Sequence, residues 1–238
     1  PAMVRASGRS VLLPPIVSVG AGGLFTLPLV DVATRGASEL SPIDEHVRAF
    51  LGQTVGVAHG SLVGDALSDL APVAFVSCIV TSAAWIAASS LENRPRAART
   101  VLSLFGVHCL VLVPLVEVII KPIAHRLRPD TIHHHSYSFP SGHTCSATFM
   151  SGAFLFVLLP ALLEVLAAQS STARRIAAHW PRQAQLATWL LWSGATGLGR
   201  VLADAHWCTD TVAGGLLGSA LLASTTQLIA SAAEEAQD

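Results

Sequence analysis

The chain has 238 residues, 52% of them hydrophobic and 12% charged, with a formal net charge of -1 and a mean hydropathy of +0.57. A soluble domain of this length carries about twice that share of charge, so the composition argues for an integral membrane protein. The near-zero net charge gives no basis for nucleic-acid binding.

Cys78, Cys109, Cys145 and Cys208 are scattered without ligand spacing, so neither a disulfide framework nor a zinc site is expected. Pro1-Ala2 ahead of Met3 reads as a cloning remnant, and Arg5 and Arg9 before an apolar run resemble a targeting signal only superficially.

In chain order, residues 11–30 are uncharged and long enough to span a bilayer, though interrupted by Pro14, Pro15, Gly20, Gly22 and Gly23. Ser41-Pro42-Ile43-Asp44 reads as a helix start, with Ser41 as N-cap, Pro42 in the first turn and Asp44 closing the capping box. Ile43, Val47, Phe50, Leu51 and Val55 then share one face. That stripe fits either an interfacial helix or an amphipathic lid packed on a bundle.

Further spans are expected at 71–90, 101–120, 143–163, 185–203 and 211–230. The third contains one acid, Glu117, four residues before Lys121 and in the favourable order for an ion pair. Gly214 and Gly218 give the last span a small-xxx-small face suited to close helix packing.

The whole reads as a single all-α domain, 1–238: a six-span bundle with a short amphipathic interfacial helix between spans one and two. Arg5, Arg9, Arg94, Arg96, Arg99, Arg174, Arg175 and Arg182 all fall on one side, which marks that side and both termini as cytoplasmic.

The chemistry-bearing residues lie towards the other side. His206 and Asp210 are four apart, so one helical turn brings them together. A carboxylate accepting the Nδ1 proton leaves Nε2 with an outward lone pair, the arrangement of an oriented nucleophile. Arg200 supplies a planar cation suited to phosphate oxygens. Lys121 is the only lysine beside thirteen arginines, which suggests a need for a compact ammonium. Pro140-Ser141-Gly142-His143 reads as a helix N-terminus, whose unpaired amides favour an anion, with Gly142 permitting close approach and the Ser141 hydroxyl adding a donor.

Lys121 with Arg128-Pro129, then Pro140-Ser141-Gly142-His143, then Arg200, His206 and Asp210 occur in order and at matching spacing. In these three motifs the chain resembles the type 2 phosphatidic acid phosphatase (lipid phosphate phosphatase) superfamily, in its integral-membrane branch. The likeness spans about residues 11–230. One position departs: Gly199 stands where the family usually has serine before the arginine, which removes a hydroxyl but keeps the backbone donor.

The resemblance implies a metal-independent enzyme without cofactor. His206 attacks phosphorus, Asp210 orients it, and His143 protonates the leaving alkoxide and then activates water. Lys121, Arg128 and Arg200 neutralise the phosphoryl oxygens, with Ser141 and Gly142 beneath them. Arg126 matches a further arginine of the first motif, and Glu117 serves as the partner of Lys121. The implied partners are membrane lipids and a lipid phosphate or diphosphate of the phosphatidic acid, phosphatidylglycerophosphate or polyprenyl diphosphate type, met on the extracytoplasmic side.

Two alternatives are a phosphotransferase using the same phosphohistidine and a catalytically idle scaffold. His133-His134-His135 looks like a metal clip, but adjacent histidines rarely converge on one ion. Asp204 is expected to cap the turn between the last two spans.

Overall fold

The structure is a computed structural model that describes residues 15–35 and 41–235, and among them the chain is helical without strands. Helix α1 is Pro15–Arg35 and α2 is Pro42–Thr54. Two long rods follow, α3 at Leu62–Ala88 and α4 at Arg94–Ala124. Helix α5 is Gly142–Ala167, α6 Ser171–Ala178, α7 Arg182–Leu202 and α8 Cys208–Glu235. Residues 11–14 of the first expected span lie outside the described residues.

Local chemistry sets the boundaries. The Ser61 and Ser141 hydroxyls accept from the amides of Gly64 and Thr144, which caps α3 and α5. Helix α4 stops where His125 turns into the left-handed region at φ 50°. Two π-helical stretches, Val107–Leu112 and Leu115–Ile120, flank Pro114 within it. At α2 the expected box is absent: Ser41 makes no side-chain cap bond, and Asp44 is drawn elsewhere.

Helices α3, α4, α5 and α8 are long and apolar enough to cross a membrane. Helix α7 has the length but carries Gln183, Gln185, Thr188 and Ser193, and α1 contributes only the shorter apolar stretch Gly20–Val30. Helix α5 is the central rod, packed against α3, α7 and α8, and its residues 147–153 are all buried. Val76, Val80, Leu102, Leu110 and Val118 instead point outward from α3 and α4, an apolar exterior too extensive for a monomer in water.

The tightest contact is between α5 and α8. A Cβ on Gly214 would stand 2.5 Å from the Ser141 carbonyl oxygen, and one on Gly218 2.5 Å from that of Cys145. The glycine face is therefore a backbone-to-backbone seam, as the sequence spacing suggested. The C-termini of α4 and α7 and the N-termini of α5 and α8 consequently meet at one end of the bundle, with α2 beside them.

Gly218→Ala should push α8 off α5 and cost about 1–3 kcal/mol, the usual penalty of overpacking. A lowered unfolding temperature in detergent checks this, with Gly215→Ala (its Cβ meeting only Thr148 Oγ1, at 3.9 Å) as the control.

Candidate active site

The segment after α4 doubles back on itself. The Ser138 amide donates to the Arg126 carbonyl at 2.8 Å, and the Trp207 indole donates to the Leu127 carbonyl at 2.9 Å. These bonds fix Arg126 and Arg128 on either side of the turn that follows α7.

Arg126 is almost wholly buried and does not line the cavity. It donates through Nη1 to Asp210 Oδ1 and Thr209 Oγ1, each at 2.7 Å, and through Nη2 to Asp44 Oδ2. Asp44 also accepts from the Thr209 amide at 2.9 Å and from its hydroxyl at 2.7 Å. One guanidinium is thus clamped between two buried carboxylates from distant parts of the chain.

The second oxygen of Asp210 accepts from the Trp207 amide at 2.9 Å and lies 3.5 Å from His206 Nδ1. On the opposite ring edge, Arg128 Nη1 stands 3.2 Å from Nε2. A guanidinium has donors and no acceptor, so that contact requires a bare lone pair on Nε2. The proton is then on Nδ1, which faces the carboxylate but closes no hydrogen bond to it.

Arg128 is itself braced. Its Nε and Nη2 donate to the Ser136 carbonyl and hydroxyl, and Nη1 donates to the Ala205 carbonyl, all at 2.9 Å. Burial first, then the positive charges of Arg128, Arg200 and Lys121, hold the His206 imidazole well below its ordinary pKa. At neutral pH His206 is a neutral base wedged between an anion and a cation.

The turn owes its shape to Asp204, which adopts φ 53° and so ends α7 through its backbone. Its side chain does not cap; both oxygens take the fork of Arg48 from α2, at 2.9 and 2.8 Å. Hydrogen bonding to Asp204 raises the Arg48 pKa above its ordinary value. The guanidiniums of Arg48 and Arg126 each lie 5.8 Å from the Trp207 ring centroid, so the buried indole is gripped by two cations.

A cavity of about 500 Å³ opens here. Lys121, Arg128, Arg200, Gly142, His143 and His206 line one end, together with Glu117, the carboxylate paired with Lys121. Phe75, Leu112, Val113, Val116 and Met150 line the rest, with His108 among them. Along α5 the lining runs from Gly142 to Met150, two turns or ~12 Å.

Lys121 donates to both oxygens of Glu117, at 2.7 and 2.8 Å, as their spacing suggested. The Arg200 side chain makes no protein hydrogen bond among the described residues, and its buried Nε is without a partner. Only its backbone carbonyl is engaged, accepting from the amides of Ala205 and His206. Ser141 sits apart from the cavity. Its hydroxyl, fully buried, accepts from the Thr144 amide and hydroxyl, so its observed work is capping α5.

Gly199 has a packing reason. A Cβ there would lie 2.6 Å from the Ser68 amide nitrogen and 2.7 Å from the Gly64 carbonyl oxygen. A serine would have to pry α7 away from α3.

The fold and site are thus those of a helical bundle with a cationic pocket at one end and an apolar exterior. The sequence model of the PAP2 superfamily matches residues 101–233. The chain belongs to the PAP2 superfamily. Among solved structures it is similar to one described as the first transmembrane PAP2 type phosphatidylglycerolphosphate phosphatase from Bacillus subtilis, at 17% identity and a TM-score of 0.61. That match covers 92% of this chain and 97% of the other, and it shows a shared fold. No curated protein matches the chain.

Sequence reasoning missed Asp44, Arg48, Thr209 and Ser136. Asp44 sat in a plausible capping box, which accounted for it locally. The one available signal was an excess: two acids, Asp44 and Glu45, open the helix, and a cap uses only one.

Asp44→Ala removes one of two carboxylates from a buried arginine and should cost about 3–5 kcal/mol, with Asp44→Asn costing less because an acceptor remains. Thermal unfolding in detergent measures both. His206 adds a pH signature. Its folded pKa lies below the unfolded value of 6.5, so below that pH the unfolded chain binds a proton that the folded chain refuses. Stability should therefore fall as pH drops through 6.5, and the slope should flatten in His206→Asn.

Proposed function

We propose that this protein is an integral-membrane phosphatase acting on a lipid phosphate or lipid diphosphate through a phosphohistidine at His206. The observation that carries the reading is the two-part cavity: a cationic end beside two histidines, continuing directly into an apolar channel. An amphiphile with a phosphorylated headgroup matches that pairing, whereas a small polar phosphate ester would leave the channel wet.

The phosphoryl group takes its place among Lys121, Arg128 and Arg200. Arg128 turns its Nη1 donor from the imidazole to a phosphoryl oxygen, which frees the Nε2 lone pair for in-line attack on phosphorus. The P–O bond to the lipid breaks as the N–P bond forms, and His143, which takes up its proton against the negative charge of the entering phosphoryl group, gives that proton to the departing alkoxide. Water then loses a proton to His143 and attacks the phosphohistidine, releasing phosphate and restoring neutral His206. Asp210 keeps the imidazole proton on Nδ1 and faces the positive charge that builds on the ring. The free donors of Arg200 support this reading, because a buried guanidinium without partners is costly until an anion arrives.

The same reading takes the protein as one domain of six spans, counting α1 and α7 with the four apolar rods. It puts α2 at the membrane interface, where Ile43, Phe50 and Val55 are all more than half exposed. The arginines at the starts of α4 and α7 and on α6 crowd the end opposite the cavity, which supports a cytoplasmic placement for that end and an extracytoplasmic one for the site.

His206→Ala should abolish phosphate release from phosphatidic acid, phosphatidylglycerophosphate and polyprenyl diphosphate in detergent while leaving the unfolding transition in place. His143→Ala should reduce turnover of alkyl phosphates by about 10²–10⁴-fold and of aryl phosphates far less, since a good leaving group needs no proton. Vanadate should inhibit the wild type. Equal losses on both ester classes would argue against His143 as the acid.

A further inference from the structure

Outside the cavity, on the loops at the same end of the bundle, two imidazoles and a carboxylate from separate segments converge. His59 lies between α2 and α3, while Asp130 and His133 lie between α4 and α5. The two histidine rings stack at 4.0 Å between centroids and 4° between planes. His133 Nδ1 is 2.7 Å from Asp130 Oδ2, and His59 Nδ1 is 3.9 Å from the same oxygen. All three ligand atoms lie within 4.8 Å of one another.

The geometry points to a divalent transition-metal site of the zinc class held by His59, Asp130 and His133. Around a tetrahedral ion with bonds of about 2.0–2.1 Å, neighbouring ligand atoms stand about 3.3 Å apart. The two distances to Asp130 fall on either side of that value, each about 0.6 Å away. As stacked, the two parallel rings cannot aim their in-plane lone pairs at one point, so assembling the site requires both rings to turn about their side-chain bonds and give up the stack. Two imidazoles and one carboxylate are a donor set this metal class favours, and they leave a fourth position open. It is not the adjacent-histidine clip that the sequence offered, because only His133 of the three contributes.

A fourth imidazole is near. His134 meets the His59 ring edge-on at 5.5 Å, and its buried Nε2 has no hydrogen-bond partner.

Both loops are tied to the pocket. The Ala58 amide donates to the Leu202 carbonyl, and the Asp130 amide to the carbonyl of Asp204. Asp130 is also two residues from Arg128, whose side chain closes the loop onto Ser136. An ion joining His59 to His133 would staple the two loops to each other beside the turn that follows α7 and restrain the segment that carries Arg128. It is separate from the phosphoryl chemistry, and the claim stands whether or not His206 is the nucleophile.

The test uses the full chain in detergent, free of any histidine tag, stripped by chelator and titrated with ZnCl₂ and, for its visible bands, CoCl₂. We expect saturable binding of about one ion per chain, intense tetrahedral cobalt bands, and a raised unfolding temperature. His59→Ala and His133→Ala should each weaken binding by roughly tenfold or more, while the doubly substituted His134→Ala, His135→Ala chain keeps the site. His59 is exposed, so its loss leaves the fold intact as a control against misfolding. Absence of saturable binding, binding that survives His59→Ala, or binding that disappears only with His134 and His135 would each overturn the assignment.

Discussion

The clamp of Arg126 between Asp44 and Asp210 is the interaction on which the catalytic end of the molecule depends. Alone, either carboxylate would be too costly to bury as an anion, and Arg126 alone as a cation. Together with the Thr209 hydroxyl and amide and the Trp207 amide, each has partners for its lone pairs or protons. The clamp also fixes distances. Asp210 opens α8, Arg126 follows α4, and Asp44 opens α2, so one guanidinium sets the relative positions of three helix ends.

That arrangement explains how His206 can sit beside an aspartate and remain neutral. Arg126 draws on the charge of Asp210, whose nearer oxygen stands 3.5 Å from Nδ1 without closing a hydrogen bond, so the carboxylate does little to stabilise a charged ring. From the cavity side it feels Arg128, Arg200 and Lys121. In the proposed reaction the balance reverses when a phosphoryl group enters: the new anion cancels the cations, and positive charge growing on the ring then faces Asp210. In that scheme the ring is neutral, with its one proton on Nδ1, before substrate arrives and best stabilised as a cation once it has attacked.

Much of this was legible in the sequence because it is carried by short-range rules. Glu117 and Lys121 meet as a helical i,i+4 pair, and Gly214 and Gly218 open a seam at helical spacing. What escaped depends on contacts between distant segments. Asp44 and Arg126 are separated by 82 residues, and Arg48 and Asp204 by 156, so no local period announces either pair. Local rules even misdirected. Asp44 fitted a capping box and Asp204 fitted a side-chain cap, yet each side chain is committed elsewhere by tertiary contacts. The apolar stripe of α2 was legible as a stripe, while its direction was not: the polar edge with Asp44 and Arg48 grips the site, and Ile43, Phe50 and Val55 are left outward.

The glycine at 199 shows how such contacts trade chemistry for architecture. A hydroxyl beside Arg200 would add a donor near the pocket, but the same Cβ would strike the backbone of α3 at Gly64 and Ser68. Gly64 meets the reciprocal restriction, since its own Cβ would stand 2.7 Å from the Ala203 amide nitrogen. The two glycines let α7 and α3 touch through their backbones just where the chain turns to present His206. Close approach there brings Ala71 and Phe75 of α3 to the wall of the cavity that Arg200 also lines. The missing hydroxyl thus goes with the close approach that brings an apolar wall up to the cationic end, which suits the proposed reading of a charged headgroup and its lipid held in one continuous space.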